Sequence, residues 1–171
     1  MAQKLNPPLL VAVDTNVALD LADQCEAIVD SLNTIRERIG AGVLCISPTV
    51  VLELGHAADF GETAAKRTAA RQFLRQHSAW HFQLAPFVPV GHAQAVRVGD
   101  RLRACGLIPE DEVNDSLVLA EAALLGCRML LTDDEHLRGI DFERLAFELQ
   151  SFDLTPPVMA TPREVVRKFF R

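Results

Sequence analysis

The segment most informative about the fold is Leu9-Leu10-Val11-Ala12-Val13-Asp14-Thr15-Asn16. Its first five residues are apolar without interruption, which is typical of a strand buried on both faces of a parallel sheet. Asp14 ends the apolar run, and a carboxylate beside a core is costly unless it is paired or bound to a cation. The stretch therefore predicts a central strand, residues 9–13, with an acidic side chain at its carboxyl end.

The rest of the chain alternates helical and strand patterns. Helices are predicted over residues 15–39, 48–58, 62–79, 91–105 and 109–126. Gly40 and Gly42 end the first of them. The capping box Thr161-Pro162-Arg163-Glu164 opens a last helix that runs to Phe170. Further strands are predicted at 43–46 and 127–131, a fourth within 146–152, and an extended connection or edge strand within 82–90. This alternation predicts an α/β protein, specifically a three-layer α/β/α sandwich with a mainly parallel central sheet.

Length and composition limit the classes of protein that are compatible with the chain. Its 171 residues are predicted to form a single domain, residues 1–171. No apolar run approaches the roughly 18 residues of a membrane span, and the run before Asp14 is too short for a signal peptide, so we predict a cytoplasmic protein. The net charge of −6 disfavours a protein that coats nucleic acid broadly, but a carboxylate site for cations is compatible with it.

The cysteines give little indication of function. Cys25, Cys45, Cys105 and Cys127 are widely spaced among apolar neighbours, and no Cys-x-x-Cys pair occurs. Zinc binding and a disulfide framework are therefore disfavoured, and buried structural thiols are predicted instead.

Four acidic residues stand at the edges of apolar segments: Asp14, Glu53, Asp115 and Asp134. Asp14 and Asp134 follow predicted strands, Asp115 opens a helix and Glu53 lies about two turns into one. Ligands in parallel sheets bind beyond the carboxyl ends of the strands, so these side chains are expected at one rim. Several carboxylates at one rim predict a site for a hard cation such as Mg²⁺ or Mn²⁺.

Each acid also has a purely structural interpretation. Asp14 is a favoured N-cap residue for the helix that follows it, and Asp134 is a turn or cap candidate. Glu53 fits a solvent-facing helical position, and Asp115 suits the first turn of a helix through the macrodipole. The joint pattern, rather than any single residue, favours the metal site.

The acidic motifs resemble those of the PIN domain family, and in particular the VapC-type toxins of toxin–antitoxin modules. The resemblance depends on Asp14-Thr15-Asn16 after a strand, Glu53 on a following helix, the segment 114–122 and Leu130-Leu131-Thr132-Asp133-Asp134. These motifs occur in the family's order over nearly the whole chain. The resemblance implies a Mg²⁺- or Mn²⁺-dependent endoribonuclease that cleaves RNA, is inhibited by a separate antitoxin protein and commonly forms a homodimer.

The resemblance also implies roles for individual residues. The implied catalytic acids are Asp14, Glu53, Asp115 and Asp134. Of these, Asp14, Asp115 and Asp134 would be metal ligands. Asp133 is a rival for the fourth position and is otherwise a supporting residue. Asn16 and Thr132 would support the site by hydrogen bonding to ligands or to substrate phosphate. The residues do not decide between one ion and two.

Basic residues recur at helical spacing in two places, Arg67, Arg71 and Arg75 on one helix and Arg97 and Arg101 on the next. They are candidates for RNA phosphate contacts, and the alternative is a solvated face with local ion pairs. His56 forms a Glu-x-x-His pair with Glu53, but a di-iron site needs two such pairs.

Two other functions are compatible with the sequence. One is a non-catalytic PIN-like module that binds RNA or protein. The other is a different metal-dependent phosphoesterase with Asp14 as nucleophile, but a second aspartate is expected two residues later, where Asn16 stands.

Overall fold

The computed structural model describes residues 9–39 and 43–169. In that part of the chain, the strands β1 to β5 are Leu10–Val13, Val43–Ile46, Phe82–Leu84, Met129–Leu131 and Val158–Ala160. They form one sheet in the order β3-β2-β1-β4-β5, and every pairing is parallel. β1 is the central strand, and Val11 and Val13 are fully buried, as the continuous apolar run predicts.

The helices α1 to α9 are, in chain order, Thr15–Ala22, Glu26–Thr34, Pro48–Phe60, Ala64–Gln76, Pro89–Ala104, Val113–Leu124, Glu135–Arg138, Phe142–Gln150 and Pro162–Phe169, with a π-helical turn at Ile35–Ile39. In the part of the chain that the structure describes, no helix combines the length and the apolar character that a membrane crossing needs.

The strand order places the helices on both faces of the sheet. The connections β1 to β2 to β3 run one way across the sheet, and those from β3 to β4 to β5 run the other way. Because parallel crossovers are right-handed, the two sets of connections lie on opposite faces. Accordingly α4 packs on α1 and α3, while α5 packs on α6 and α8. The predicted α/β fold with a mainly parallel central sheet is confirmed.

One predicted strand is wrong. Most of residues 146–152 belongs to α8, and the strand beside β4 is β5, eight residues beyond α8. α8 is an amphipathic helix, because Leu145 and Leu149 are buried four residues apart while Phe147 is 74% exposed. The Asp141 side chain caps it by accepting hydrogen bonds from the backbone N–H groups of Glu143 and Arg144.

Several predicted boundaries also change. The helix predicted over 15–39 is interrupted between α1 and α2, where Gln24 takes a left-handed backbone with φ of 56°. The helix predicted from residue 109 begins at Val113, after a turn. Residues 82–84 form an edge strand, which was predicted within 82–90 as the alternative to an extended connection. Gly40, Gly42, the end of the last helix at Phe170 and the segment before residue 9 lie outside the described residues.

The register of the sheet brings β1 and β4 to the same edge. Val13 pairs with Leu131, and the N–H of Asp14 donates to the Leu131 carbonyl over 2.9 Å. The residues that follow the two strands, Asp14 and Thr132, are therefore neighbours. The sheet thus positions two of the predicted site residues directly.

Candidate active site

A groove of about 690 Å³ opens at the carboxyl edge of the sheet. Its lining includes all four predicted acids: Asp14, Glu53, Asp115 and Asp134. They come from four different elements, namely the end of β1, the middle of α3, the first turn of α6 and the loop between β4 and α7. The fold therefore brings together residues that are up to 120 positions apart in the sequence.

Thr132 connects two of these acids. Its hydroxyl donates to Asp14 Oδ2 over 2.7 Å and accepts from the backbone N–H of Asp134 over 3.0 Å. Asp14 Oδ1 accepts from the Thr15 N–H over 2.6 Å, so both oxygens of this buried carboxylate have partners. Burial raises the pKa of Asp14 above its ordinary value. The hydrogen bonds from Thr132 and Thr15 lower the pKa but do not cancel this effect, and the carboxylates of Glu53 and Asp134 raise it further.

Replacing Thr132 with Val should lower the free energy of unfolding by about 2–3 kcal/mol, because it leaves a buried carboxylate oxygen of Asp14 and the half-buried N–H of Asp134 without partners. Urea unfolding followed by circular dichroism measures the change. Thr132→Ser is the matched control, since it keeps the hydroxyl, and should lose less than half as much. Equal losses in the two variants would show that the methyl group, and not the hydroxyl, matters at this position.

Glu53 is held by two neighbours of the other acids. The Thr15 hydroxyl donates to Glu53 Oε2, and the Asn114 amide donates to Oε1 over 2.8 Å. Neither Thr15 nor Asn114 was predicted to have a role of its own. Their positions directly after Asp14 and directly before Asp115 were the available signal, because they reach the same rim as those acids.

The electrostatic effect of the cluster is largest at Asp115. Burial raises its pKa to about 7, and the negative charges of Asp134, Asp14, Glu112 and Glu53 contribute in that order. At neutral pH, a carboxylate whose pKa is raised in this way readily binds either a proton or a metal cation. The groove is therefore built to bind positive charge.

A buried acid, Glu121 of α6, ties the helix of Glu53 to the helix of Asp115. Its carboxyl oxygens accept from the N–H and the hydroxyl of Thr49 over 3.0 and 2.9 Å, in the first turn of α3. Glu121 is 2% exposed. It thus caps α3 from outside and fixes the two helices relative to each other.

Replacing Glu121 with Ala should lower the free energy of unfolding by about 3 kcal/mol, because a buried N–H loses its partner and a cavity is left. Glu121→Gln keeps the volume and one acceptor oxygen, and should lose roughly half as much. Chemical denaturation measures both variants. A loss below about 0.5 kcal/mol in the alanine variant, the range of neutral surface changes, would contradict this role.

The two candidates for the fourth acid lie in different places. Asp134 lines the groove, whereas Asp133 is exposed and lies in a separate depression with Asp20 and Arg138. Asp134 also caps α7, since its Oδ1 accepts from the N–H groups of His136 and Leu137. This placement supports Asp134 over Asp133 as the fourth acid.

Asn16 and His56 both reach the groove. Asn16 Oδ1 accepts from the Val17 N–H over 2.7 Å and lies 3.5 Å from the Asp133 nitrogen, so it also orders the backbone of this loop. His56 is exposed on the groove wall, with its ring 5.1 Å from that of Phe60.

The predicted RNA-binding arginines do not line the groove. The lysine or arginine of the described chain that does line it is Lys66. Arg67 donates to the Gly61 carbonyl, and Arg101 pairs with Glu148 over 2.6 Å. Arg71, Arg75 and Arg97 are exposed on α4 and α5. The placement favours the alternative interpretation of a solvated face with local contacts.

The tightest group of metal-binding side chains in the described chain is one that the sequence analysis missed. Ligand atoms of Glu112, Asp115 and His136 all lie within 4.8 Å of one another. No three of the four predicted acids, all of them within the described residues, meet the same criterion. The sequence signal was the spacing of Glu112 and Asp115 by three residues at a helix start, with a histidine two residues after Asp134.

Comparison with known proteins identifies the family. The model of the PIN domain matches residues 11–143, well over half of the chain, so the chain belongs to the PIN domain family. PIN domains are generally nucleases. The match confirms the resemblance that the acidic motifs indicate. No curated protein matches the sequence significantly.

A solved structure shows the same fold. The chain is similar to a chain of the crystal structure of VapBC2 from Rickettsia felis bound to a DNA fragment from their promoter. The TM-score is 0.60 and the sequence identity 14%, over 90% of this chain and 98% of the other. At this identity the likeness establishes the fold alone.

Proposed function

We propose that this chain acts as a single PIN domain with metal-dependent endoribonuclease activity, cleaving RNA phosphodiester bonds in the groove. The observation that carries the proposal is the convergence of Asp14, Glu53, Asp115 and Asp134, from four elements, on one groove. Burial, followed by the negative charges of the neighbouring acids, raises the pKa of Asp115 to about 7, which is the electrostatic signature of a cation site.

The residues of the groove fit Mg²⁺ or Mn²⁺. All four acids offer hard oxygen donors, which these ions prefer. Mg²⁺ is usually held by one or two carboxylates and keeps several waters, so it does not need three protein oxygens in close contact. Asp14, Asp115 and Asp134 are the proposed ligands. A cation bound there supplies positive charge for the scissile phosphate and makes a water molecule more acidic.

The surrounding residues orient these ligands. Thr132 and the N–H of Thr15 fix the rotation of the Asp14 carboxylate. Thr15 and Asn114 hold Glu53 at the groove wall, where it is available to accept a proton. Lys66, which lines the groove, is the candidate contact for a neighbouring phosphate of the RNA.

Incubation of the purified chain with a fluorescent single-stranded RNA tests the proposal. We expect internal cleavage with Mg²⁺ or Mn²⁺, none with EDTA, and recovery when the ion is returned. Matched DNA of the same sequence and p-nitrophenyl phosphate serve as alternative substrates. RNA binding without cleavage at any metal concentration would favour the non-catalytic module, and turnover of the small ester alone would favour another phosphoesterase.

We further propose that the chain is a VapC-type toxin with an antitoxin protein as partner and that it forms a homodimer. Support comes from the acidic motifs and from the fold shared with a chain of the VapBC2 structure. The groove also carries exposed apolar side chains, Leu52 and Phe60, each 73% exposed, which a protein partner could cover. A small reading frame next to this gene, whose product co-purifies with the chain and blocks cleavage, is the expected result.

A further inference from the structure

We propose that Glu112, Asp115 and His136 form a binding site for a transition-metal dication of the Zn²⁺ class. We call these three residues the outer triad. It is distinct from the cation position proposed in the groove, although Asp115 belongs to both. The inference does not rest on the proposed nuclease function, because it concerns the ligand geometry alone.

The distances within the outer triad are close to those of a coordinated ion. His136 Nδ1 lies 3.4 Å from Glu112 Oε1 and 3.9 Å from Asp115 Oδ2. Zinc bonds to nitrogen and oxygen of about 2.1 Å place two tetrahedral ligands about 3.4 Å apart. The first pair already has this separation, and the second exceeds it by about half an ångström. The ligand oxygens of Glu112 and Asp115 lie within 4.8 Å of each other, so small rotations of these side chains would complete the set.

Local structure holds the three side chains at this spacing. Glu112 and Asp115 are three residues apart at the start of α6, so they face the same side of the helix. Glu112 makes no side-chain capping hydrogen bond there, which leaves its carboxylate for another partner. His136 is fixed through its backbone, since its N–H donates to Asp134 Oδ1 over 2.8 Å.

The chemistry of the donors selects the ion. An imidazole nitrogen suits Zn²⁺, Co²⁺ or Ni²⁺, whereas Mg²⁺ prefers oxygen donors and octahedral geometry. One histidine and two carboxylates with remaining positions open to solvent form a three-ligand site, since His136 and Glu112 side chains are 47% and 39% exposed. The outer triad should therefore bind Zn²⁺-class ions in preference to Mg²⁺.

Co²⁺ titration of the full chain tests the proposal, with any affinity tag removed. The Asp14→Asn variant is the background, because it weakens the groove position and leaves the outer triad intact. We expect one equivalent of Co²⁺ to bind, to perturb the imidazole resonances of His136, and to be displaced by Zn²⁺ but not by equimolar Mg²⁺. Adding His136→Ala or Glu112→Gln should weaken binding at least tenfold, whereas His92→Ala, an exposed histidine on α5, should not.

Unchanged Co²⁺ affinity in the His136→Ala variant, or no binding in the background variant at millimolar Co²⁺, would overturn the proposal and leave the outer triad as an ion pair. Loss of RNA cleavage does not enter this test, since no RNA is present. Failure of the outer triad and failure of the nuclease proposal are therefore separate results.

Discussion

Replacing Asp14 with Asn should reduce Mg²⁺-dependent RNA cleavage by at least about a thousandfold while the chain stays folded. The carboxylate is a proposed metal ligand, and a cation contributes several kcal/mol of charge stabilisation in a phosphoryl transition state. A loss of about 4 kcal/mol corresponds to about a thousandfold in rate. Asparagine keeps the shape of the side chain and one oxygen that can accept from Thr132 or Thr15, so folding should survive.

Initial rates with the fluorescent RNA, measured at several Mg²⁺ concentrations, give the size of the effect. Asp111→Asn is the matched control: it makes the same chemical change at an exposed aspartate in the turn before α6 and should keep the wild-type rate. Thermal unfolding of each variant shows whether the protein is folded in the assay. A folded Asp14→Asn variant with a rate within tenfold of wild type would contradict the assignment of Asp14.

Replacing Asp115 with Asn should stabilise the metal-free protein at pH 8 while removing cleavage activity. The folded-state pKa of Asp115 is about 7, above the ordinary value of 3.8, because of burial and the neighbouring carboxylates. Between these values the folded state binds more protons than the unfolded state, so this group's contribution to stability falls as pH rises from about 4 to about 7 and stays low above that. The neutral amide avoids both the cost of burying a charge and the repulsion from the neighbouring carboxylates.

The size and the pH window of this effect are both measurable. Allowing for solvent screening of a half-buried group, we expect Asp115→Asn to gain on the order of 1–2 kcal/mol at pH 8 in EDTA. The gain should shrink toward zero near pH 4. Saturating Mn²⁺ should reverse the order, since the wild type binds the ion more tightly. Asp111→Asn is again the control, and an Asp115→Asn variant less stable than wild type at pH 8 in EDTA would refute the repulsion.

The central part of the fold follows from short-range patterns. Leu9 to Val13 predicts β1 because both faces of that strand are buried, which leaves no polar alternation. The edge strand β5 could not be predicted in the same way. It has three residues after two prolines, and Val158 is 51% exposed, so its pattern is weak. The longer segment 146–152 drew the prediction instead, although its buried residue Leu149 lies one helical turn after the buried Leu145.

Asp14, Asp115 and Asp134 were predictable because each stands after a strand or at the start of a helix, and the parallel topology gathers such positions at one edge. Glu53, about two turns into α3, was predictable only through the joint pattern of the four acids. Contacts that depend on side-chain conformation could not be predicted from the sequence. The link from Thr49 to Glu121 joins residues 72 positions apart, and neither residue stands out in the sequence. The approach of His136 to Glu112 likewise depends on how α7 folds back beside α6.

In the proposed mechanism, carboxylates at the carboxyl edge of the sheet hold the cation that cleavage requires. Anomalous diffraction from crystals of this chain grown with Mn²⁺ tests it most directly, with Asp14→Asn crystals for comparison. We predict an anomalous peak in the groove within bonding distance of Asp14, Asp115 and Asp134 in the wild type, and no peak there in the variant. A groove without a peak at saturating Mn²⁺, or a peak of equal height in Asp14→Asn crystals, would contradict the claim.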